Sequence, residues 1–228
     1  MRRPYLALLA AAVVLAPSVR TAQAQDEQTR NVANGGVSVK GWTGQVDGGA
    51  SLSADKVTME GDAIHVTTGP AGGFWNPANK ASGDYTVSAT FTEPKYMNLN
   101  SHPHPYGLFI GGNDMGTPNQ SYLYCAAYGN GNFIVRGFGP AAFAMNGPRG
   151  AANAAVHKAA AKDEPVTQQI SMSVKGDKVS CSINGTEVAS YTKADVVGAG
   201  KLKSTDGVYG IRFAHNTDGL VTDLKVSK

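Results

Sequence analysis

The spacing with the most chemistry in it is His102-Pro103-His104-Pro105, two imidazoles one residue apart and held between prolines. Proline fixes its own φ, so this segment is stiff and extended. An extended His-x-His can turn both rings toward one metal ion when a third ligand approaches, or it is a rigid, solvated loop. A second set is aromatic. Tyr122 and Tyr124 fall on one face of a strand-like run, opposite Leu123 and Cys125, and Arg136 lies on the next such run. Aromatic rings cover the apolar C–H face of a sugar, while guanidinium and amide groups bond its hydroxyls. Tyr122, Tyr124 and Arg136 therefore read as a platform for a carbohydrate or another polar small ligand. Trp75, in Gly72-Gly73-Phe74-Trp75-Asn76-Pro77 between strands, and His215, at a strand end before Asn216, are the remaining candidates. The alternative for the aromatic residues is plain packing. His65 lies within a strand and reads as a residue of the sheet surface.

Other chemistries are poorly supplied. A glycosidase needs two carboxyl groups flanking the scissile bond. After residue 24 the chain has five glutamates, Glu27, Glu60, Glu93, Glu164 and Glu187, and the sole acidic pair at i, i+2 is Glu60 with Asp62 around Gly61, a turn. Ser is plentiful, but there is no Gly-x-Ser-x-Gly elbow, and neither cysteine has a neighbouring histidine. Calcium takes oxygen ligands, and Asn113-Asp114 and Asn216 with Asp218 are the places it could use, without the acid density of an EF-hand. The same residues are good turn formers. No other cofactor is expected.

The elements that must position these groups are short strands. Gln169–Tyr191 alternates apolar and polar residues in three runs, broken at Gly176-Asp177 and Asn184-Gly185. That is two hairpins, and Asn-Gly suits the positive φ angles of a type I′ turn. Further strands are expected at Val37–Trp42, Lys56–Met59, Ala63–Thr68, Tyr85–Thr92, Tyr106–Ile110, Tyr122–Tyr128, Phe133–Phe138, Val208–His215 and Leu220–Val226. Ala151–Lys162 is rich in alanine and predicts a short helical excursion. With no helices alternating between strands, the fold class is all-β, a two-sheet antiparallel sandwich.

The N-terminal stretch bears on compartment. Arg2 and Arg3 precede an apolar run, Tyr5–Ala16, and Ala22-Gln23-Ala24 forms a small-residue cleavage site, so residues 1–24 read as a signal peptide. The expected location is secreted or periplasmic, with 25–36 a flexible leader and 37–228 the folded domain. The run is too short for a membrane span. The whole chain carries 20 Lys+Arg against 17 Asp+Glu, but Arg2, Arg3 and Arg20 fall in the signal, leaving 17 of each sign. That balance gives nucleic acid no electrostatic footprint. A monomer is expected. Cys125 and Cys181 would meet an oxidising compartment, either bridged or as two separate core thiols.

In order along the chain, GFWNP, GDYTVSATF, YGLFIGG, SYLYCAAYGNGNFIVRGFG, the double hairpin and DGVYGIRFAHNTDGLVTDLKV resemble the concanavalin A-like lectin/glucanase superfamily, in its laminin-G-like and 3-keto-disaccharide-hydrolase-like bacterial branch. The resemblance covers roughly residues 37–227 and is one of strand order and turn type. It implies a jelly roll whose curved sheet cradles carbohydrate. The acid motif that glucanases of this superfamily carry on one strand is missing. The expected function is thus an exported, lectin-like module without glucanase activity. A hydrolase or lyase for modified (3-keto) glycosides, using His102, His104, Arg136 and His215, is the first alternative. A structural or interaction domain is the second.

Overall fold

The computed structural model describes residues 28–228, so the expected signal peptide lies outside the described residues. The first half of the chain forms β1 (Gly36–Val37), β2 (Thr43–Val46), β3 (Lys56–Glu60), β4 (Ala63–Thr67), β5 (Gly72–Ala81), β6 (Tyr85–Glu93), β7 (Tyr106–Asn113) and β8 (Ser121–Ala127). The second half forms β9 (Asn132–Phe138), β10 (Ala142–Ala144), β11 (Ala151–Ala152), β12 (Val166–Lys175), β13 (Lys178–Ile183), β14 (Thr186–Thr192), one helical turn α1 (Lys193–Val196), β15 (Gly207–Phe213) and β16 (Asp218–Ser227). One sheet runs β1-β3-β4-β16-β6-β12-β13-β14. The other runs β10-β9-β8-β7-β15-β5-β2, with β11 also on β9. Pairing is antiparallel apart from β1 with β3. This is the all-β jelly-roll sandwich that the sequence implied.

Alternation sets the two faces of each sheet. In β6, Tyr85, Val87, Ala89 and Phe91 enter the core between the sheets, while Thr86, Ser88, Thr90 and Thr92 face out. The double hairpin forms as expected, with Asn184 at φ 50° and Gly185 at φ 82° in the second turn. Cys125 on β8 and Cys181 on β13 are joined by a disulfide through the core, with Cα atoms 6.3 Å apart, so the bond links one sheet to the other.

Four expectations need correction. The strand expected at Val37–Trp42 forms only at Val37, and a turn in which the Trp42 N–H donates to the Val39 carbonyl at 3.0 Å takes up the rest. Ala151–Lys162 is not helical: Ala151 and Ala152 pair with Phe133 and Asn132, and the rest is irregular. Alanine propensity is a weak preference that tertiary bonds override. Here Gln168 donates to the His157 carbonyl at 2.8 Å, and Asn184 donates to the Ala155 carbonyl at 2.8 Å. The described part of the expected flexible leader is tied down. The buried Asn216 side chain accepts from the Arg30 N–H at 2.8 Å and donates to the Gln28 carbonyl at 3.2 Å. Finally, Gly72–Ala81 is a strand rather than a connection. Its Pro77 is tolerated because β2 pairing stops at Trp75, and a bulge opposite Tyr209 lets 76–79 leave the ladder.

Two carboxylates are buried in the sandwich. Glu93 accepts from the Met97 N–H at 2.9 Å and Asp55 from the Gly69 N–H at 2.9 Å. Burial outweighs those bonds and pushes each carboxyl up to about 7, from 4.5 and 3.8 respectively. Between its unfolded and folded pKa each group binds more protons folded than unfolded, so its stabilising contribution is present in acid and is lost as pH rises through about 7. In urea titrations, Glu93→Gln is expected to remove a loss of stability between pH 5 and pH 8 on the order of 2 kcal/mol. An unchanged pH slope would show that Glu93 is already ionised. Replacing both Cys125 and Cys181 by serine is expected to cost about 4 kcal/mol, from the length of the loop they close.

Candidate functional site

The outer face of the β7-containing sheet carries a second, mostly aromatic cluster: Trp75, Phe109, Tyr122, Tyr124 and Ile134, with Tyr128, Phe138 and Val208 against it. Gly210 makes room for it, since a Cβ there would lie 2.4 Å from the Phe74 carbonyl oxygen and 2.7 Å from the Phe109 ring. Near one end of the face is an open cavity of about 470 Å³ lined by His102, His104, Tyr124, Arg136, His215 and Arg212, with Tyr128, Asn130, Asn132 and Arg149 completing its polar wall. Five of the seven sequence candidates therefore meet there.

Strand register explains the convergence. Tyr106 opens β7 and faces Phe213 at the end of β15. One step outward, the Ala214 N–H donates to the Pro105 carbonyl at 2.9 Å. The next step places His104 against His215, with ring centroids 4.1 Å apart. His104 Nδ1 is 2.5 Å from the His215 carbonyl oxygen, which only accepts, so Nδ1 carries a proton. His104 Nε2 lies 2.9 Å from His102 Nε2. The two rings thus form a hydrogen-bonded chain that ends on the His215 carbonyl. Among the described residues, no group of three or more His, Cys, Asp or Glu is arranged to hold a metal ion.

Tyr124 faces Arg136 directly across β8 and β9. A guanidinium nitrogen of Arg136 donates to the Pro148 carbonyl, and its Nε is buried with no hydrogen bond. Arg212 is 6% exposed and lies over the rings of Tyr124 and Phe138, at 5.8 and 5.2 Å from their centroids. Asp47 grips it with both carboxylate oxygens, one at 2.8 Å. Burial raises the Tyr122 hydroxyl well above the usual phenol range and moves the Tyr124 hydroxyl in the same direction, against the opposing pull of Arg212.

Two candidates fall elsewhere. Tyr122 is 1% exposed between Phe109 and Phe138, with ring centroids 4.8 and 5.0 Å away, so it packs the face and lines no part of this cavity. Trp75 walls a separate hollow of about 630 Å³ with Thr43, Lys80, Asn113 and Met115. The groups considered for calcium all have protein partners. Asp114 pairs with Lys203, Asn113 donates to the Gly111 and Asp206 carbonyls, and Asp218 accepts from Thr67 and contacts His65, itself on the sheet surface as expected. Arg212, Asp47, Tyr128, Asn130, Asn132 and Arg149 were not among the candidates. Arg212 had a readable signal: with Tyr209, Ile211 and Phe213 facing the core, alternation puts it on the outer face. Asp47 had none, because its partner is 165 residues away.

No family model matches the chain, and no curated protein matches it. Solved structures do. A carbohydrate-binding module, CBM66, from Bacillus subtilis is similar at TM-score 0.55 and 10% identity, over 87% of this chain and 100% of that one. A Bacillus subtilis protein of unknown function with a galectin-like fold matches at TM-score 0.55 and 14% identity, over 82% and 89%. A glycoside hydrolase family 16 endo-glucanase from Bacteroides ovatus matches at TM-score 0.47 and 12% identity, over 82% and 94%. At these identities the likeness is one of fold. The shared fold is a two-sheet jelly-roll sandwich.

Removing Asp47 leaves the buried Arg212 without its counter-charge. Asp47→Ala is expected to cost about 3 kcal/mol by chemical denaturation, and the double variant Asp47→Ala/Arg212→Met to recover most of it. A neutral Asp47→Ala would show that solvent already screens the pair.

Proposed function

We propose that this chain is an exported carbohydrate-binding module whose ligand lies in the cavity between Tyr124, Arg136 and the His102–His104 segment. The observation that carries this reading is the convergence of the edge of Tyr124, 7% exposed, and the half-buried Tyr128 with guanidinium, imidazole and amide groups in a single hollow. Its size is that of a small-molecule site. Rings supply an apolar surface, while Arg136, Asn130 and Asn132 supply hydrogen bonds at its edge, which is the pairing of chemistries a sugar ring needs. The CBM66 and galectin-like neighbours support the same reading through their fold alone.

A second reading is a hydrolase or lyase acting on modified glycosides. One observation favours it: the imidazoles of His102 and His104 meet at 2.9 Å inside the same cavity, where a proton could be moved.

A glycan-binding screen, with metal added or chelated and a turnover assay on oxidised disaccharides run beside it, separates the two. Binding without turnover is expected, with affinity falling about tenfold or more in Tyr124→Ala or Arg136→Ala. Trp75→Ala, in the other hollow, is expected to leave it unchanged. Turnover abolished by His104→Ala would replace the binding reading with the enzymatic one. A loss of binding confined to Trp75→Ala would move the site to the larger hollow.

A further inference from the structure

Among the described residues, the permanent charges that line the cavity are all of one sign. Arg136, Arg149 and Arg212 contribute to it, and among the described lining residues there is no carboxylate. Arg212 is already neutralised, since both oxygens of Asp47 bind it from an adjoining hollow. Arg136 and Arg149 have no such partner among the described ion pairs. They flank Pro148 from two sides: Arg136 donates to its carbonyl, and Arg149 follows it in the chain with its side chain exposed. The concentration is local, because residues 25–228 carry 17 charges of each sign. The hollow beside Trp75 is different, being lined by Lys80 together with Asp114.

A neutral sugar in this cavity would strip water from the Arg136 guanidinium and return no counter-charge. A buried cation left so is costly. Its Nε is already out of solvent without a hydrogen bond. An oxyanion offers what the described wall lacks: two acceptor oxygens spaced to match a guanidinium fork, in charge-assisted bonds about twice as strong as neutral ones. We propose that the carbohydrate recognised here is anionic, a glycan bearing a carboxylate or a sulfate ester, with the anion held by Arg136 and Arg149 and the sugar ring against Tyr124. The proposal rests on the carbohydrate reading of the same cavity and gives it a substrate class.

Calorimetry on the full chain with matched ligands tests it: an oligo-uronide and its methyl ester, a sulfated oligosaccharide and its desulfated form, and inorganic sulfate alone. One acidic glycan is expected to bind about tenfold or more tighter than its uncharged partner, and which of the two does so identifies the anion as carboxylate or sulfate. That preference is expected to shrink in Arg149→Gln, whose exposed side chain has no packing role, and to vanish in Arg136→Gln. Arg136→Lys should restore part of it as a point charge. Rising salt should weaken the acidic ligand and leave the uncharged one unaffected. If charged and uncharged partners bind equally and Tyr124→Ala weakens both, the anion proposal fails and the carbohydrate reading stands. If inorganic sulfate binds as tightly as the glycans, the sugar contributes nothing and both fail. Absence of binding to any glycan also overturns both.

Discussion

β15 lies between β5 and β7, and its register with β7 decides what both faces of the sheet can do. Pairing Phe213 with Tyr106 and Ile211 with Leu108 sends Tyr209, Ile211 and Phe213 into the core between the sheets. The same register leaves Arg212 on the outer face and carries the chain ends beyond the pair, His104 and His215, into contact. A slip by one residue would reverse every one of these assignments. It would put a guanidinium in the core and three apolar side chains outside. The apolar pattern of β15 therefore holds the polar site in place, although none of its apolar residues touches the site.

The aromatic outer face imposes a second requirement. A sheet surface built from Phe109, Tyr122, Tyr124 and Phe138 is dry, and a cation placed on it must be compensated. Asp47 supplies the charge and the ring faces of Tyr124 and Phe138 supply further attraction. Arg212 is in turn a rigid neighbour for Tyr124, so the ring that borders the cavity is fixed from behind by an ion pair rather than by packing alone. Arg136, opposite Tyr124 on β9, has a backbone carbonyl in place of a carboxylate. Two arginines with two strands between them thus have different jobs: one is locked into the scaffold, the other keeps bonding capacity.

Much of this was written locally in the chain. Period-2 alternation marks β6, β8, β9 and the hairpins of β12 to β14, because each strand has one buried face. The faces of Tyr124 and Arg136 follow from it directly. The helix expected at Ala151–Lys162 fails because its evidence was propensity, while the bonds that set its conformation come from Gln168 and Asn184, later in the chain. Strand β5 was hidden by Gly72, Gly73 and Pro77, which signal turns unless a bulge in a neighbouring strand accommodates them. Tyr122 shows the limit of pattern reading at the site itself. Alternation gives its face, the same as that of Tyr124, but only the flanking Phe109 and Phe138 determine that Tyr122 is sealed off while Tyr124 keeps an edge at the cavity. The partnership of Asp47 with Arg212 is a matter of topology and left no trace in spacing.

Cys125 follows Tyr124 on β8, and adjacent residues of a strand point to opposite faces. The ring at the cavity and the sulfur in the core are therefore back to back, with the bond to Cys181 crossing to the other sheet. Mechanically, this is a rivet placed behind a handle. A pull on anything held at Tyr124 would be carried into β13 by a covalent bond, where two sheets meeting through side-chain packing alone could shear apart. That load path runs through two consecutive residues, Tyr124 and Cys125.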